Sequence, residues 1–174
     1  MIIGFLDQTS LRSDPGRRRV INTPVVVYTD KGERYAKRSM TIFGFMSLNG
    51  SDAVMVSESA KAIDMVSFLE VMRGENGGTD VPILIVLDNA RIHKARLTTW
   101  KAEELGIFLA PLPPYSPDLQ PIEFEWKDLK RELAAKLDFD AMIDASGPTA
   151  LRLFEERKAE YTVHWVESFI CPKG

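Results

Sequence analysis

The sequence carries one cysteine, Cys171, in 174 residues, which excludes an internal disulfide framework and any cysteine-rich zinc site. No apolar run approaches the roughly 20 residues that a membrane span requires. The opening MIIGFLD has neither a basic start nor a cleavage site, so it does not read as a signal peptide. Internal repeats and low-complexity segments are also missing. These absences leave the cytoplasm as the expected compartment. A length of 174 residues with 45% hydrophobic and 27% charged residues suits one globular domain with a real core.

A strong excess of either charge is missing too. The net charge is −3, which taken whole argues against a nucleic-acid partner. Its distribution argues the other way. Residues 12 to 38 hold eight basic side chains, Arg17, Arg18 and Arg19 among them, against Asp14, Asp30 and Glu33, a local balance of +5 that leaves −8 for the rest. Such asymmetry can form a phosphate-facing patch on an acidic body. A solvated hairpin with a charged, aggregation-resistant edge explains the same residues.

What is present orders itself into strands and helices. IIGFL (residues 2–6) suits a buried strand that ends near Asp7. TPVVVYTD and RYAKRSMTIFGFM read as an antiparallel hairpin turning at Asp30, Lys31 and Gly32, and AVMVS as a further short strand. Ala62, Met65, Val66, Leu69 and Met72 recur at helical spacing, with Gly74 placed as a C-cap. PILIVLDN is apolar without interruption, the mark of a strand covered on both faces. Residues 94–105 read as a helix closed by Gly106, followed by the short strand IFLA. From Pro121, the residues Ile122, Trp126, Leu129, Leu133 and Leu137 form one apolar helical stripe. The tail from Pro148 reads as one or two helices with Phe154, Tyr161, Trp165 and Phe169 turned inward. Antiparallel strands followed by strand–helix alternation predict a mixed α/β sheet with helices on its faces.

Three acids stand out by position. Asp7 closes the first strand, Asp88 closes the most buried one, and Glu123 lies in the first turn of a helix that Pro121 begins. Each has a local explanation. Asp88-Asn89 makes a good turn, and a first-turn glutamate complements the helix dipole or pairs with Lys127. Taken together, acids at the ends of separate elements make a hard oxygen site of the kind that magnesium or manganese occupies. The stiff LPPYSPDLQP lead-in then fixes where the helix starts, and so where Glu123 points.

VLDNARIHKA followed by LPPYSPDLQPIEFEWKDLKRE resembles the signature of mariner-superfamily DDE transposases, in particular their prokaryotic insertion-sequence branch. In that family 34 residues separate the second Asp from the final Glu, and residues 89 to 122 number 34. FLDQTS resembles the strand that carries the first Asp, and RRRVINTP the segment after it. The resemblance implies an RNase H-like mixed sheet, with its first three strands antiparallel, the later ones parallel, and helices on both faces. It implies a single catalytic domain over residues 1–174, with the family's helix-turn-helix region, which normally precedes this domain, absent before Met1. Asp7, Asp88 and Glu123 become the catalytic, metal-binding triad, serving two Mg2+ or Mn2+ ions. The activity implied is DNA cleavage by phosphodiester hydrolysis, and strand transfer that moves an insertion sequence. The implied partners are the element ends and target DNA, a second copy in a homodimeric active complex, and, if the chain is not a fragment of a longer transposase, a separate helix-turn-helix chain. The setting would be the nucleoid.

Two residues depart from the family pattern. Gln8 replaces the frequent Glu after the first acid, removing any auxiliary ligand there, and Gln120 replaces the usual Asn before Pro-Ile-Glu, a poorer helix cap. Candidate DNA contacts are Arg17, Arg18, Arg19, Arg91, His93 and Lys94, with His93 alternatively orienting the Asp88 loop. Asp118 reads as a turn acid, Tyr115 as packing on the proline turn, and Trp100, Trp126 and Trp165 as core. Two other readings stay open: an RNase H-like nuclease, and an inactive remnant acting as a DNA-binding or dimerising scaffold.

Overall fold

The computed structural model describes residues 1–13, 38–78, 80–113, 119–136 and 138–163, with backbone alone for the last two residues of the final helix. Five strands form one sheet: β1 (Ile2–Arg12), β2 (Ser39–Ser47), β3 (Ala53–Ser57), β4 (Ile83–Leu87) and β5 (Ile107–Pro111), in the order β3-β2-β1-β4-β5. β1–β2 and β2–β3 are antiparallel, whereas β1–β4 and β4–β5 are parallel. This is the mixed sheet of the RNase H-like fold.

Two apolar clusters cover the two faces. On one, the strand residues Leu6, Phe43 and Ile85 pack against Phe68 and Met72 of α1 (Ala62–Glu75) and Ala102 of α2 (Arg96–Glu104). On the other, Phe5, Leu11 and Ile42 pack against Trp126 and Leu129 of α3 (Ile122–Leu133) and Phe154 of α4 (Phe139–Trp165). Alternation along β1 produces this split, since successive side chains point to opposite faces. Each of the large side chains fully buried here, such as Phe43 and Phe45, contributes on the order of 2 kcal/mol by leaving water. β4 is covered on both sides: Ile83, Ile85 and Leu87 face the first cluster, and Val86 packs on the second.

Several boundaries differ from those read in the sequence. β1 does not end at Asp7 but runs on to Arg12, because its antiparallel ladder with β2 continues through Arg12↔Ser39. Gly74 lies inside α1. The helix stops at Asn76, whose N–H donates to the Arg73 carbonyl and whose side-chain amide donates to the Met72 carbonyl, and Gly77 then takes the left-handed turn at φ 60°. Pro148 lies within α4 rather than at its start, since the turns before it pack Met142, Ile143 and Ala145 on the core and offset the lost N–H. Gly106, at φ 65°, closes the turn after α2 as expected. Trp100 is 60% exposed on α2 and not core. TPVVVYTD, Leu137 and Phe169 lie outside the described residues, as does the Trp165 side chain. Among the described residues no helix is long and apolar enough to cross a membrane.

Candidate active site

The parallel pairing of β1 with β4 runs from Ile2↔Ile83 to Leu6↔Leu87. One step further along each strand come Asp7 and Asp88, so the register itself sets the two acids side by side. Asp7 has the parity of Phe5 and Leu11, which puts it on the sheet face covered by α3. Glu123 enters from above, in the first turn of that helix. Asp7 and the start of α3, which carries Glu123, therefore share one face, with Asp88 just past the end of the neighbouring strand β4.

The lead-in to α3 is tied to β4 where it leaves the sheet. Leu112 N–H donates to the Leu87 carbonyl at 2.8 Å, and the Asn89 side-chain amide donates to the Leu112 carbonyl. On the far side of the proline segment, Glu123 N–H donates to the Gln120 carbonyl at 3.1 Å. Pro121, not Gln120, is the N-cap of α3, and it makes no side-chain cap bond. The Gln120 side chain is buried, and its Nε2 has no hydrogen-bond partner among the described residues. Tyr115 and Asp118 lie outside the described residues.

Asp7 is 6% exposed, and its carboxyl is pushed up to about 7. Burial is the main cause, followed by the charge of Glu123 and, more weakly, that of Asp88. The Gln8 N–H and the Trp126 indole oppose the rise by donating to the ionised form. Trp126 Nε1 donates to Asp7 Oδ2 at 2.9 Å. Asp88 behaves oppositely. Its hydrogen bond with His93 holds the carboxyl below the usual range, helped by the Ala90 N–H at 2.9 Å and by the charge of Lys94. Among the described residues no three His, Cys, Asp or Glu side chains converge closely enough to hold a metal ion. Asp7 is turned to the Trp126 indole and Asp88 to His93, while the three like charges repel one another.

His93 is enclosed, its side chain 0% exposed. Nδ1 lies 2.8 Å from Asp88 Oδ1 and 3.2 Å from the Asp88 carbonyl, both acceptors, so this nitrogen carries a proton. Nε2 lies 3.0 Å from Oε1 of Gln8. A ring so enclosed offers no face to a phosphate, which corrects its placement among the DNA contacts and favours its other expected role, orienting the Asp88 loop. Gln8 points to the opposite face of β1 from Asp7. Its side chain is used on His93, so a ligand at that position would not share the face of the acids. Arg91 and Lys94 are exposed on the turn after Asp88, and Arg17, Arg18 and Arg19 lie outside the described residues.

Two residues escape sequence reasoning, Trp126 at the site and Glu125 elsewhere on α3. Trp126 is core, as expected, yet its one polar atom reaches Asp7. The available signal was that a buried indole N–H needs a partner. Glu125, two residues after Glu123, is fully buried, and neither carboxyl oxygen has a hydrogen-bond partner among the described residues. Burial and the charges of Asp52 and Asp128 push its carboxyl up to about 10.

A family model described as "DDE superfamily endonuclease" matches residues 3–145. No curated protein sequence matches the chain. Among solved structures, the catalytic domain of Mos1 mariner transposase superposes with a TM-score of 0.55 at 13% identity, over 95% of this chain and 81% of that one. The Mos1 strand transfer complex gives 0.55 at 14% identity, over 95% and 53%. The Mos1 mariner paired end complex with Mn gives 0.54 at 16%, over 95% and 55%. The chain thus spans about half the length of the transposase in those two complexes.

Proposed function

The chain belongs to the DDE superfamily endonucleases, and on that premise we propose that it is the catalytic domain of an insertion-sequence transposase. In this reading it cleaves DNA at the element ends by phosphodiester hydrolysis and joins them to target DNA, with Asp7, Asp88 and Glu123 as its acidic triad. The observation that carries the reading is the β1–β4 register, which sets Asp7 beside Asp88 under the helix that carries Glu123.

The donor set fits a divalent ion. Three carboxylates are hard oxygen ligands suited to Mg2+ or Mn2+, and the raised proton affinity of Asp7, caused first by burial and then by the charge of Glu123, includes a repulsion that a cation relieves. Asp7, Asp88 and Glu123 would hold it, and two ions shared among them are proposed; the Mos1 paired end complex with Mn supports the use of a divalent ion alone. Bound there, the metal supplies Lewis-acid stabilisation of the phosphodiester oxygens during attack and departure.

The chain's own residues do the positioning. His93 holds Asp88 ionised and in place, and Trp126 holds Asp7. The anchored lead-in sets the start of α3 and so the reach of Glu123. Arg91 and Lys94, exposed beside Asp88, offer positive charge to a phosphate backbone, as do Arg17, Arg18 and Arg19 in the basic segment. The active complex is proposed to be a homodimer on paired ends, with a helix-turn-helix region, on this or a separate chain, recognising the ends.

The test is cleavage of a duplex that carries the element's terminal repeat. Cutting that needs Mg2+ or Mn2+, yields strand-transfer products with target DNA, and disappears in Asp88→Asn supports the reading. Cutting of RNA–DNA hybrids alone assigns the site to an RNase H-like nuclease. A folded chain that binds DNA but cuts nothing, even with its recognition region, is a scaffold.

A further inference from the structure

We propose that Trp126 is a positioning residue that gauges the separation of two acids, and that Gly44 is the notch that admits it. The inference rests on the metal-site reading above. Trp126 and Glu123 lie three residues apart on α3, so they share a side of the helix. The hydrogen bond from Trp126 Nε1 to Asp7 Oδ2 thus joins the helix that carries one acid to the strand that carries another. The first turn of α3, which carries Glu123, cannot shift relative to Asp7 without breaking it or displacing a ring that is 2% exposed.

The ring has one seat. Asp7 pairs with Gly44 across the β1–β2 ladder, and the indole lies over that glycine. A Cβ at Gly44 would fall 2.5 Å from Trp126 Cη2 and 2.9 Å from Cζ2, and 3.4 Å from Ile122 Cδ1. Those first two distances are shorter than carbon contacts allow, so any side chain at 44 drives the six-membered ring away from the strand. Phe154 packs edge-on behind it, with centroids 6.4 Å apart, and limits the retreat.

The chemistry suits a metal ligand better than the alternatives would. An indole N–H is a donor only and uncharged. It aligns Asp7 without cancelling its charge, whereas Lys or Arg in the same place would form an ion pair in competition with a cation. Phe or Leu would fill the space and leave the buried carboxylate without that donor.

The test is Mn2+ binding to the whole chain by calorimetry, with melting curves alongside. Trp126→Phe keeps most of the ring and removes the donor, and Gly44→Ala keeps the donor and shifts the ring. Both are expected to weaken Mn2+ binding roughly 10- to 100-fold, as loss of a group that orients a ligand does. Trp100→Phe, on the exposed face of α2, is expected to leave binding unchanged. If Trp126→Phe does not fold, the wild-type protein carries the test. The indole N–H resonance of Trp126, identified by elimination with Trp100→Phe and Trp165→Phe, should shift on Mg2+ saturation. Folded Trp126→Phe and Gly44→Ala that bind Mn2+ as tightly as wild type, or an unmoved Trp126 resonance on Mg2+-saturated protein, overturn the inference alone. Wild-type protein that binds neither ion overturns the metal-site reading and this inference with it.

Discussion

His93 holds Asp88 Oδ1 at 2.8 Å through one ring nitrogen and places the other 3.0 Å from the Gln8 side chain, adjacent in sequence to Asp7. One enclosed imidazole therefore spans the point where β1 and β4 part, beneath the two strand-borne acids. Burial makes this bracket rigid, because neither polar ring atom can exchange its partner for water.

His93→Ala is expected to release the Asp88 loop and lower cleavage by about 10- to 100-fold, with little change in DNA affinity. Single-turnover cleavage and a DNA-binding titration at one salt concentration separate the two. A variant that cuts normally once bound but binds DNA poorly would return His93 to the phosphate contacts.

Glu123→Gln keeps the shape and helix propensity of the side chain and removes its charge. Cleavage should nearly vanish while the melting transition stays close to wild type, since this half-buried residue lies at the helix start and not in the apolar stripe. Near-normal cutting by the folded variant would remove the third acid from the triad.

Much of this site was legible because the pattern of each element is local. PILIVLDN announces a doubly covered strand ending in an acid, and the stripe from Ile122 to Leu133 announces a helix with Glu123 in its first turn. Less legible was whatever depends on pairing across the sheet. The apolar run of β1 stops at Asp7 and suggests a strand end there, yet the ladder with β2 carries the strand five residues further, to Arg12. The opposition of Gly44 and Asp7, which makes room for Trp126, exists only once the register is set. His93 and Gln8 lie 85 residues apart in sequence, and no periodicity connects them. Pro148 misled for a different reason: proline is a reliable helix starter only where the preceding turn has no core to join.

The basic segment gives a prediction that rests on sequence alone. Replacing Arg17, Arg18 and Arg19 with Ala should weaken DNA binding alike on all sequences and make it less sensitive to salt. A protein that neutralises fewer phosphates releases fewer counterions. The slope of log K against log salt should therefore fall by roughly 0.9 for each phosphate left unneutralised. Unchanged affinity, or a weakening confined to one DNA sequence, removes this segment from the interface.

Glu125 makes a prediction about pH. In the unfolded chain its carboxyl titrates near the ordinary value of 4.5. In the fold, burial first and then the charges of Asp52 and Asp128 hold its proton until about 10. The folded state therefore binds the proton more tightly. The associated stability is complete below about pH 4.5 and is lost progressively as pH rises toward 10. Between those limits one proton accounts for a slope of up to about 1.4 kcal/mol per pH unit. Glu125→Gln cannot titrate and should flatten that dependence, gaining relative to wild type as pH rises. Tyr161 also loses stability with rising pH, since burial and its 2.9 Å hydrogen bond to Asp128 keep the hydroxyl protonated, but only above the ordinary tyrosine value of 10.0. Asp7, raised from 3.8 to about 7, adds a slope of the same sign up to about pH 7, so denaturant unfolding of both proteins between about pH 7 and 9 isolates Glu125. Parallel curves for the two proteins would mean that Glu125 is ionised in the fold, and that its buried oxygens are satisfied by water or by residues outside those described.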